Sequence, residues 1–540
     1  MYEILILHGI YQKRLDITML KDHEPIFGKN VIETLSEGMY DNPLFLYREY
    51  VQNAADAIDT AIEVGVLEKD EGQIQITIDS DKRQVVFLDN GIGIAKRNVP
   101  AMLANIGNSQ KDRLKNKGFR GIGRLGGLGY CRIVRFETSV KGESVKSVLE
   151  WDADSLHAIL VDQREQIDAG ELIKRITTVH TEKANIDEHF FRVSLIDILE
   201  TSDDLLDVED VRKYLSMVAP VPFDYQRFRF VSEIETFIQE NRLPKLHEYQ
   251  VYLNGDEVRK GYATPLVIDG GAKTVDVLDV VCRLLKYNGK TVGWYWFCVS
   301  RFEGVLPKAC WQRCIRLRKS NIQIGEADCL SNHPKRGQAL WKEDRGNNYF
   351  MGEIHALDER LIPNSRRDYF NQDVACREFE AALAEQFLQL HRLYHEASAI
   401  RASTQAVQRA NADLKAFKEK DRTNAFFDRK ERDAELRRVN EQMKKAEKAS
   451  AGLERMREGL ATSDETPSAV VLDAYERETP KLDVTMPSKA ASPEPDFVKD
   501  TLPSSTRKVL DQVFAVVDAV LPPEDAKLLR AAIMKRFGRK

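Results

Sequence analysis

Six glycines fall within the twelve residues from Gly118 to Gly129, and an apolar run, Ile133, Val134 and Phe136, follows at once. Without a Cβ, such a stretch lets backbone come close to a ligand or a neighbouring element, and its amides can meet an anion. Many folds use a glycine run. Two elements upstream of it, in fixed order, restrict the choice.

The first is Leu46-Tyr-Arg-Glu49-Tyr-Val-Gln-Asn53-Ala-Ala-Asp56-Ala-Ile-Asp59, which holds no helix breaker and several alanines. On a helix Glu49, Asn53 and Asp56 stand at i, i+4 and i+7, so they share one face. Leu46, Val51 and Ile58 call for burial beside them. Three polar groups next to apolar surface suit a polar ligand such as a hydrated metal, with an exposed polar stripe as the plain alternative. The second element is a pair of strands, Gln73 to Asp79 and Gln84 to Leu88, turned at Ser80-Asp81-Lys82. The return strand ends in Asp89-Asn90-Gly91-Ile92-Gly93. A carboxylate at a strand end, followed by two glycines, suits an acceptor for the exocyclic amine of a base.

In order and spacing these three elements resemble the signature boxes of the gyrase, ninety-kilodalton heat-shock chaperone, histidine kinase and MutL superfamily of ATPases. The resemblance implies a Bergerat-type nucleotide domain that binds ATP with Mg2+. It implies Glu49 as general base for the attacking water, Asn53 as the magnesium ligand, Asp56 in support and Asp89 as acceptor from the adenine amino group. Gly91 and Gly93 belong to the second box; Gly118, Gly121 and Gly123 to the third. Ile106 to Lys111 is similar to the lid that folds over ATP, so Ser109, Lys111 and Arg120 are expected at the phosphates. Phosphoryl transfer by such a site is positioning and electrostatics more than covalent chemistry.

An N-terminal position and the presence of Glu49 favour the clamp-like branches over histidine kinases. In these a second domain donates a cation to the γ-phosphate. Residues Met351 to Phe370 look like the middle-domain catalytic loop of the ninety-kilodalton chaperones, and the match makes Arg367 that cation, with Arg366 as the alternative register. An arginine fits because its planar fork stays charged and can take phosphate oxygens in pairs. The resemblance covers about residues 25 to 375 and is strongest to the chaperone-like branch. Gly118-Phe-Arg-Gly121 reads nearer to MutL, and the chaperones' long C-terminal dimerisation domain has no counterpart.

The expected fold class is α+β: an N-terminal Bergerat α/β sandwich, a transducer-like α/β middle domain and a C-terminal helical or coiled-coil region. The boundaries read 1–190 for the ATP-binding domain, 191–375 for the middle domain and 376–460 for the helices. Residues 461–505, holding six of the eighteen prolines, read as a flexible acidic linker, and 506–540 as a small helical hairpin.

A net charge of −5, 43% apolar residues and 31% charged residues fit a soluble chain and argue against a dedicated nucleic-acid binder. No segment has the length of a membrane span or the form of a signal peptide, and seven cysteines without a paired framework fit a reducing, cytoplasmic setting. Cys310, Cys314, Cys329 and His333 have a zinc-like spacing, against which stand the apolar neighbours of a packed core. Residues 401–460 carry sixteen Lys or Arg against eleven Asp or Glu, which leaves nucleic-acid contact open. Three readings follow: a chaperone-like clamp, a homodimer acting on a protein client; a nucleic-acid clamp resembling MutL or the Morc-type ATPases; and an ATP-switched scaffold of a multi-protein bacterial system.

Overall fold

A computed structural model describes residues 27–36, 42–105, 123–268, 271, 273–331, 340–343, 345–423, 425–461, 467–483 and 502–537. It divides into two compact units, Met1–Val275 with Cys282–Phe297 and Leu306–Gln386, and Asp276–Val281 with Cys298–Val305 and Phe387–Lys540.

In the first unit the helices are α1 (Asn30–Ser36), α2 (Phe45–Glu63), α3 (Ala153–Val161), α4 (Ala169–Ile176), α5 (Val208–Val218) and α6 (Val231–Glu240). Asp152, Asp168 and Asp207 start α3, α4 and α5, each accepting from the backbone N–H three residues on at 2.9 to 3.0 Å. The strands are β1 (Gln73–Asp79), β2 (Gln84–Asp89), β3 (Cys131–Ser139), β4 (Val145–Asp152), β5 (Thr177–Lys183), β6 (Phe190–Ile198), β7 (Gln250–Leu253) and β8 (Asp256–Glu257). They form one sheet in the order β5-β4-β3-β6-β2-β1-β7-β8, in which only the β1–β7 pair is parallel. Helix α2 packs on it. Tyr47 and Tyr50 meet Phe87 with ring centroids 5.2 and 4.8 Å apart, and Leu46, Val51, Ala55 and Ile58 are buried. Each large apolar side chain so buried contributes roughly 2 kcal/mol.

After the short hairpin β9 (Leu266–Ile268) and β10 (Lys273–Val275), a second sheet is formed by β11 (Asp279–Tyr287), β12 (Lys290–Val299), β13 (Cys314–Lys319), β14 (Ile322–Gln323) and β15 (Met351–Ala356), ordered β11-β12-β15-β13-β14. Inside it lies a fully buried ionic cluster. Glu353 accepts from Lys260 Nζ at 2.8 and 2.9 Å and from Tyr262 at 3.1 Å, and pairs with Arg318 Nε at 2.6 Å. Burial would raise the Glu353 carboxyl, but Arg318 and Lys260 outweigh it and hold the group well below its usual range. Burial, with Arg318 nearby, pushes the Lys260 ammonium down to about 7. His355 is lowered to about 4 by burial, so near neutral pH its uncharged ring donates from Nε2 to Glu353 at 3.1 Å and stacks on Trp294 at 4.4 Å.

The second unit is largely helical. Helix α7 (Val374–Arg422), which begins in the first unit, is followed by α8 (Arg429–Ala461), α9 (Pro467–Glu478), α10 (Ser504–Val520) and α11 (Pro523–Phe537). The break between α7 and α8 contains Phe426 and Phe427. Phe426 joins Val407, Leu414, Phe417, Val439 and Met443 in the core between the two helices, and Phe427 packs on Phe514 of the tail hairpin. Inside the stretch read as a linker, Pro467–Glu478 is helical, because Val471, Leu472 and Tyr475 make an apolar face that is buried here. Proline at the first helical position is compatible with this. Among the described residues no helix is long and apolar enough to cross a membrane.

Candidate functional site

Helix α2 carries polar side chains that the protein buries. Glu49 and Asp56 are buried, Asn53 is half-buried, and Gln52 is only 1% exposed. Part of the cover is the glycine turn Gly123–Gly129, which packs on α2 at Glu49 and Tyr50. A Cβ on Gly123 would stand 2.8 Å from Glu49 Oε2, and one on Gly127 would stand 2.9 Å from the Tyr50 hydroxyl. The glycine run therefore divides. Its described C-terminal part brings backbone against the helix, while Ser109, Lys111, Gly118, Arg120 and Gly121 lie outside the described residues.

Asp89 ends β2, buried, with Oδ1 accepting from the Gly91 amide at 2.9 Å. At Gly91 an added Cβ would meet Ala57 of α2 at 2.6 Å. At Gly93, where φ is +69°, it would meet the Ser139 carbonyl oxygen at 1.9 Å. The turn is held from below by Thr138 Oγ1, which accepts from the Ile94 amide at 2.8 Å, and by His189 Nδ1, 3.0 Å from the Gly91 carbonyl.

The loop after β15 brings Arg367 to this face. Its Nε lies 3.2 Å from Glu49 Oε1, and its Nη1 donates to Gln52 Oε1. Arg367 sits at φ +53°, a left-handed conformation that costs an arginine about 1 to 3 kcal/mol and marks sites held in place by their surroundings. Here the holding bonds are Arg367 N–H to the Asn364 carbonyl at 3.1 Å and the Gly325 amide to the Arg367 carbonyl at 2.7 Å. Tyr369 and Phe370 anchor the loop in the core. Arg366 is exposed, so of the two registers only Arg367 meets α2.

Glu49, Arg48 and Arg367 form a buried charged group. Glu49 Oε1 is 3.7 Å from Arg48 Nε and 3.2 Å from Arg367 Nε, yet it accepts a hydrogen bond from neither. Gln52 Nε2 is likewise buried without a hydrogen-bond partner. The open Glu49 acceptor suits a donor such as water or a metal ion, and the open Gln52 donor suits an oxygen. The oxygen donors on α2, Glu49, Asn53 and Asp56, match what magnesium takes. Gln52 was not legible as a site residue. Its only signal is its place, a polar side chain three residues after Glu49 and one before Asn53 in the largely buried first half of the helix.

The zinc-like spacing does not converge. Among the described residues the sulfurs of Cys310, Cys314 and Cys329 do not come together within reach of one ion, and His333 lies outside those residues. Each thiol donates separately, Cys310 to Gln312, Cys314 to Asn348 and Cys329 to the Ile324 carbonyl. Burial pushes Cys314 up to about 11 and Cys329 up to about 12, away from the thiolate that zinc needs.

Residues 46–181 match the family described as histidine kinase-, DNA gyrase B-, and HSP90-like ATPase. The chain is also similar to the chaperone protein HtpG of several bacteria. It is 27% identical over 161 residues to that of Psychrobacter arcticus, covering 26% of this chain and 24% of that protein. It is 26% identical over 192 residues to that of Shouchella clausii, covering 33% and 31%. To that of Psychrobacter cryohalolentis it is 29% identical over 150 residues, covering 24% and 22%. The match thus spans about a quarter to a third of the length of these curated relatives. Residues 46–181, with the α2 face, the Asp89 turn and the glycine turn, form a domain of the histidine kinase-, DNA gyrase B- and HSP90-like ATPase family, and the chain has distant homology to the HtpG chaperones.

Proposed function

We propose that this protein is a chaperone-like conformational ATPase that hydrolyses ATP to ADP and phosphate and, as a dimer, clamps a protein client or partner. The observation that carries the reading is Arg367, delivered from the loop after β15 to within 3.2 Å of Glu49 on the nucleotide-domain helix.

In this reading Asp89 accepts from the adenine amine, and Gly91, Gly93 and Gly123 let backbone close on the nucleotide. Ser109, Lys111, Gly118, Arg120 and Gly121 complete the phosphate side. Asn53, with Asp56 near it, would hold Mg2+, which would supply charge neutralisation for the phosphates. Glu49 orients the attacking water and takes its proton as the new P–O bond forms and the bond to ADP breaks. Arg367 offers a fixed cation to the γ-phosphate.

The basic residues of the helical region favour a protein client over nucleic acid. Within the second unit Lys418 pairs with Asp483 at 2.8 Å, Lys420 with Glu435 at 2.9 Å, Arg432 with Asp421 at 2.7 Å and Arg457 with Asp473 at 2.8 Å. Cations already neutralised by neighbours release few counterions on meeting a phosphate backbone.

The deciding experiment is steady-state ATP hydrolysis by wild type, Glu49→Ala and Asp89→Asn, with magnesium, with and without double-stranded DNA. Slow wild-type turnover is expected, with a Glu49→Ala protein that binds ATP but does not hydrolyse it and an Asp89→Asn protein that does not bind. Normal hydrolysis by the Glu49→Ala protein would remove the proposed base. Several-fold stimulation by DNA would replace the protein client with a nucleic acid.

A further inference from the structure

In the tail hairpin, Leu510 and Phe514 of α10 pack with Ile533 and Met534 of α11 and with Phe427. Arg530 fastens the two helices, pairing with Asp518 at 2.9 Å and covering the Phe514 ring at 4.9 Å. That core uses one side of α10. A second apolar line, Val509, Val513, Val516 and Val520, lies one residue's rotation away, about 100° round the helix. Each of these valines is 40% to 73% exposed among the described residues. Valine is a poorer helix former than the residues that usually cover a solvated helix face, because its branched Cβ loses χ1 freedom. Neither helix propensity nor contact with water accounts for such a line at i, i+4, i+7 and i+11.

The spacing selects the partner. Steps of four, three and four residues read the same in both directions. A second α10 laid antiparallel across the first therefore sets Val509 on Val520 and Val513 on Val516. Ala515 and Ala519, exposed beside the stripe, leave room for close approach. Charge selects the same arrangement. The open end of the hairpin carries Arg507, Lys508, Lys535 and Arg536, with Asp511 one turn in, and the turn end carries Asp518, Glu524 and Asp525, with Lys527. Antiparallel pairing about a two-fold axis lays the basic end of each copy on the acidic end of the other, whereas a parallel pairing stacks like on like. We propose that α10 is a homodimerisation helix: two hairpins pair antiparallel through the four valines into a four-helix bundle that joins two chains with or without nucleotide. This deepens the dimeric reading given above, on which the joint's service to a clamp rests.

The test is the mass of the full chain in solution, by light scattering without nucleotide. Wild type should be a dimer. Val513→Asp with Val516→Asp should give single chains with an unchanged melting midpoint, since both positions are exposed within one hairpin. Lys508→Glu with Lys535→Glu and Arg536→Glu should also give single chains, and so should Glu524→Lys with Asp525→Lys. Mixing these last two proteins should restore dimers of one copy of each, which also shows that both fold. A single-chain wild type would assign the valine face to another partner and overturn the inference. Valine variants that stay dimeric, or end-reversed variants that pair with themselves as well as wild type does, would overturn it too. Glu49→Ala should dimerise like wild type. Single chains whose ATP hydrolysis depends on Glu49 would sink the hairpin joint and leave the ATPase reading intact; hairpin-dependent dimers whose hydrolysis is untouched by Glu49→Ala would do the reverse.

Discussion

Arg367 Nε and Glu49 Oε1 lie 3.2 Å apart, both side chains buried, although the first comes from the loop after β15 and the second from α2 on the nucleotide sheet. Adjacent arginines in the sequence are thereby separated by their surroundings. Arg366 points to solvent and Arg367 to α2. Arg367→Ala should lower the ATP hydrolysis rate by two orders of magnitude or more, in line with the loss of a fixed cation at a transferring phosphate. Arg366→Ala should stay within twofold of wild type. Equal losses in the two variants, read by phosphate release, would put the cation of the site elsewhere.

Gly123 and Gly93 make a contrasting pair. The atom a Gly123 side chain would strike is Glu49 Oε2, at 2.8 Å, the end of a flexible chain that can move aside. Gly123→Ala should therefore leave the unfolding midpoint nearly unchanged while cutting hydrolysis at least tenfold, since displacing a base by about 1 Å can cost on the order of a hundredfold. Gly93→Ala meets a backbone carbonyl at 1.9 Å with φ at +69°, and neither can yield. Its expected signature is a lower thermal midpoint with weaker ATP binding. A Gly123→Ala protein that melts early but hydrolyses normally when cold would contradict the assignment of this contact.

The nucleotide half of the fold is legible because its constraints are local. Glu49, Asn53 and Asp56 share a face by helix geometry alone, and Asp89-Asn90-Gly91 ends a strand whose alternation is plain from Gln84 to Leu88. The structure gives β1 and β2 the expected bounds within one residue. What brings Arg367 rather than Arg366 inward depends on a left-handed residue pinned by Gly325, from a distant strand end, and no local pattern encodes that. Helix α9 was hidden for a different reason. It lies in a stretch of proline-rich, acidic linker composition, and its short apolar face, Val471, Leu472 and Tyr475, gains meaning only from being buried in the folded chain. Gln52 shows no more than a helical spacing from Glu49; its meaning lies in one long-range contact.

Glu353 holds two buried cations, Lys260 and Arg318, with no exposure of any of the three side chains. Glu353→Gln leaves Arg318 without a counter-charge in a dry interior and drives Lys260, already lowered to about 7, toward its neutral form, a loss of about 3 to 5 kcal/mol. Lys260 is bonded through its own amide to the Pro222 carbonyl, and Arg318 donates to the Met217 carbonyl at the end of α5. The damage should thus reach the segments that join the two sheets. Denaturant unfolding of the full chain is the measurement. Adding Lys260→Met to Glu353→Gln should recover part of the loss, because a buried amine that has lost its partner is replaced by an apolar side chain. A double variant no more stable than the single one would mean the cluster is not coupled in this way.

Asp358 sits where β15 passes into the Arg367 loop, and Arg360, then Lys290, hold its carboxyl well below the usual carboxylate range. The folded value is lower than the unfolded one near 3.9, so the contribution to stability is fully present above about pH 4 and is lost as pH falls through the lowered value. Asp358→Asn removes that contribution at every pH. The difference in unfolding midpoint between wild type and Asp358→Asn should be constant from pH 7 to about 5, then shrink progressively between pH 4 and 2. The Leu361 amide and Lys319 Nζ bond to the Asp358 carbonyl, at 3.0 and 2.8 Å, and Arg360 and Lys290 bond to its carboxylate, so backbone and side chain together anchor the root of the loop that carries Arg367. At pH 7 Asp358→Asn should accordingly lower ATP hydrolysis more than ATP binding. A stability gap that stays the same down to pH 2 would show that Asp358 acts through its shape and its backbone bonds rather than through its charge.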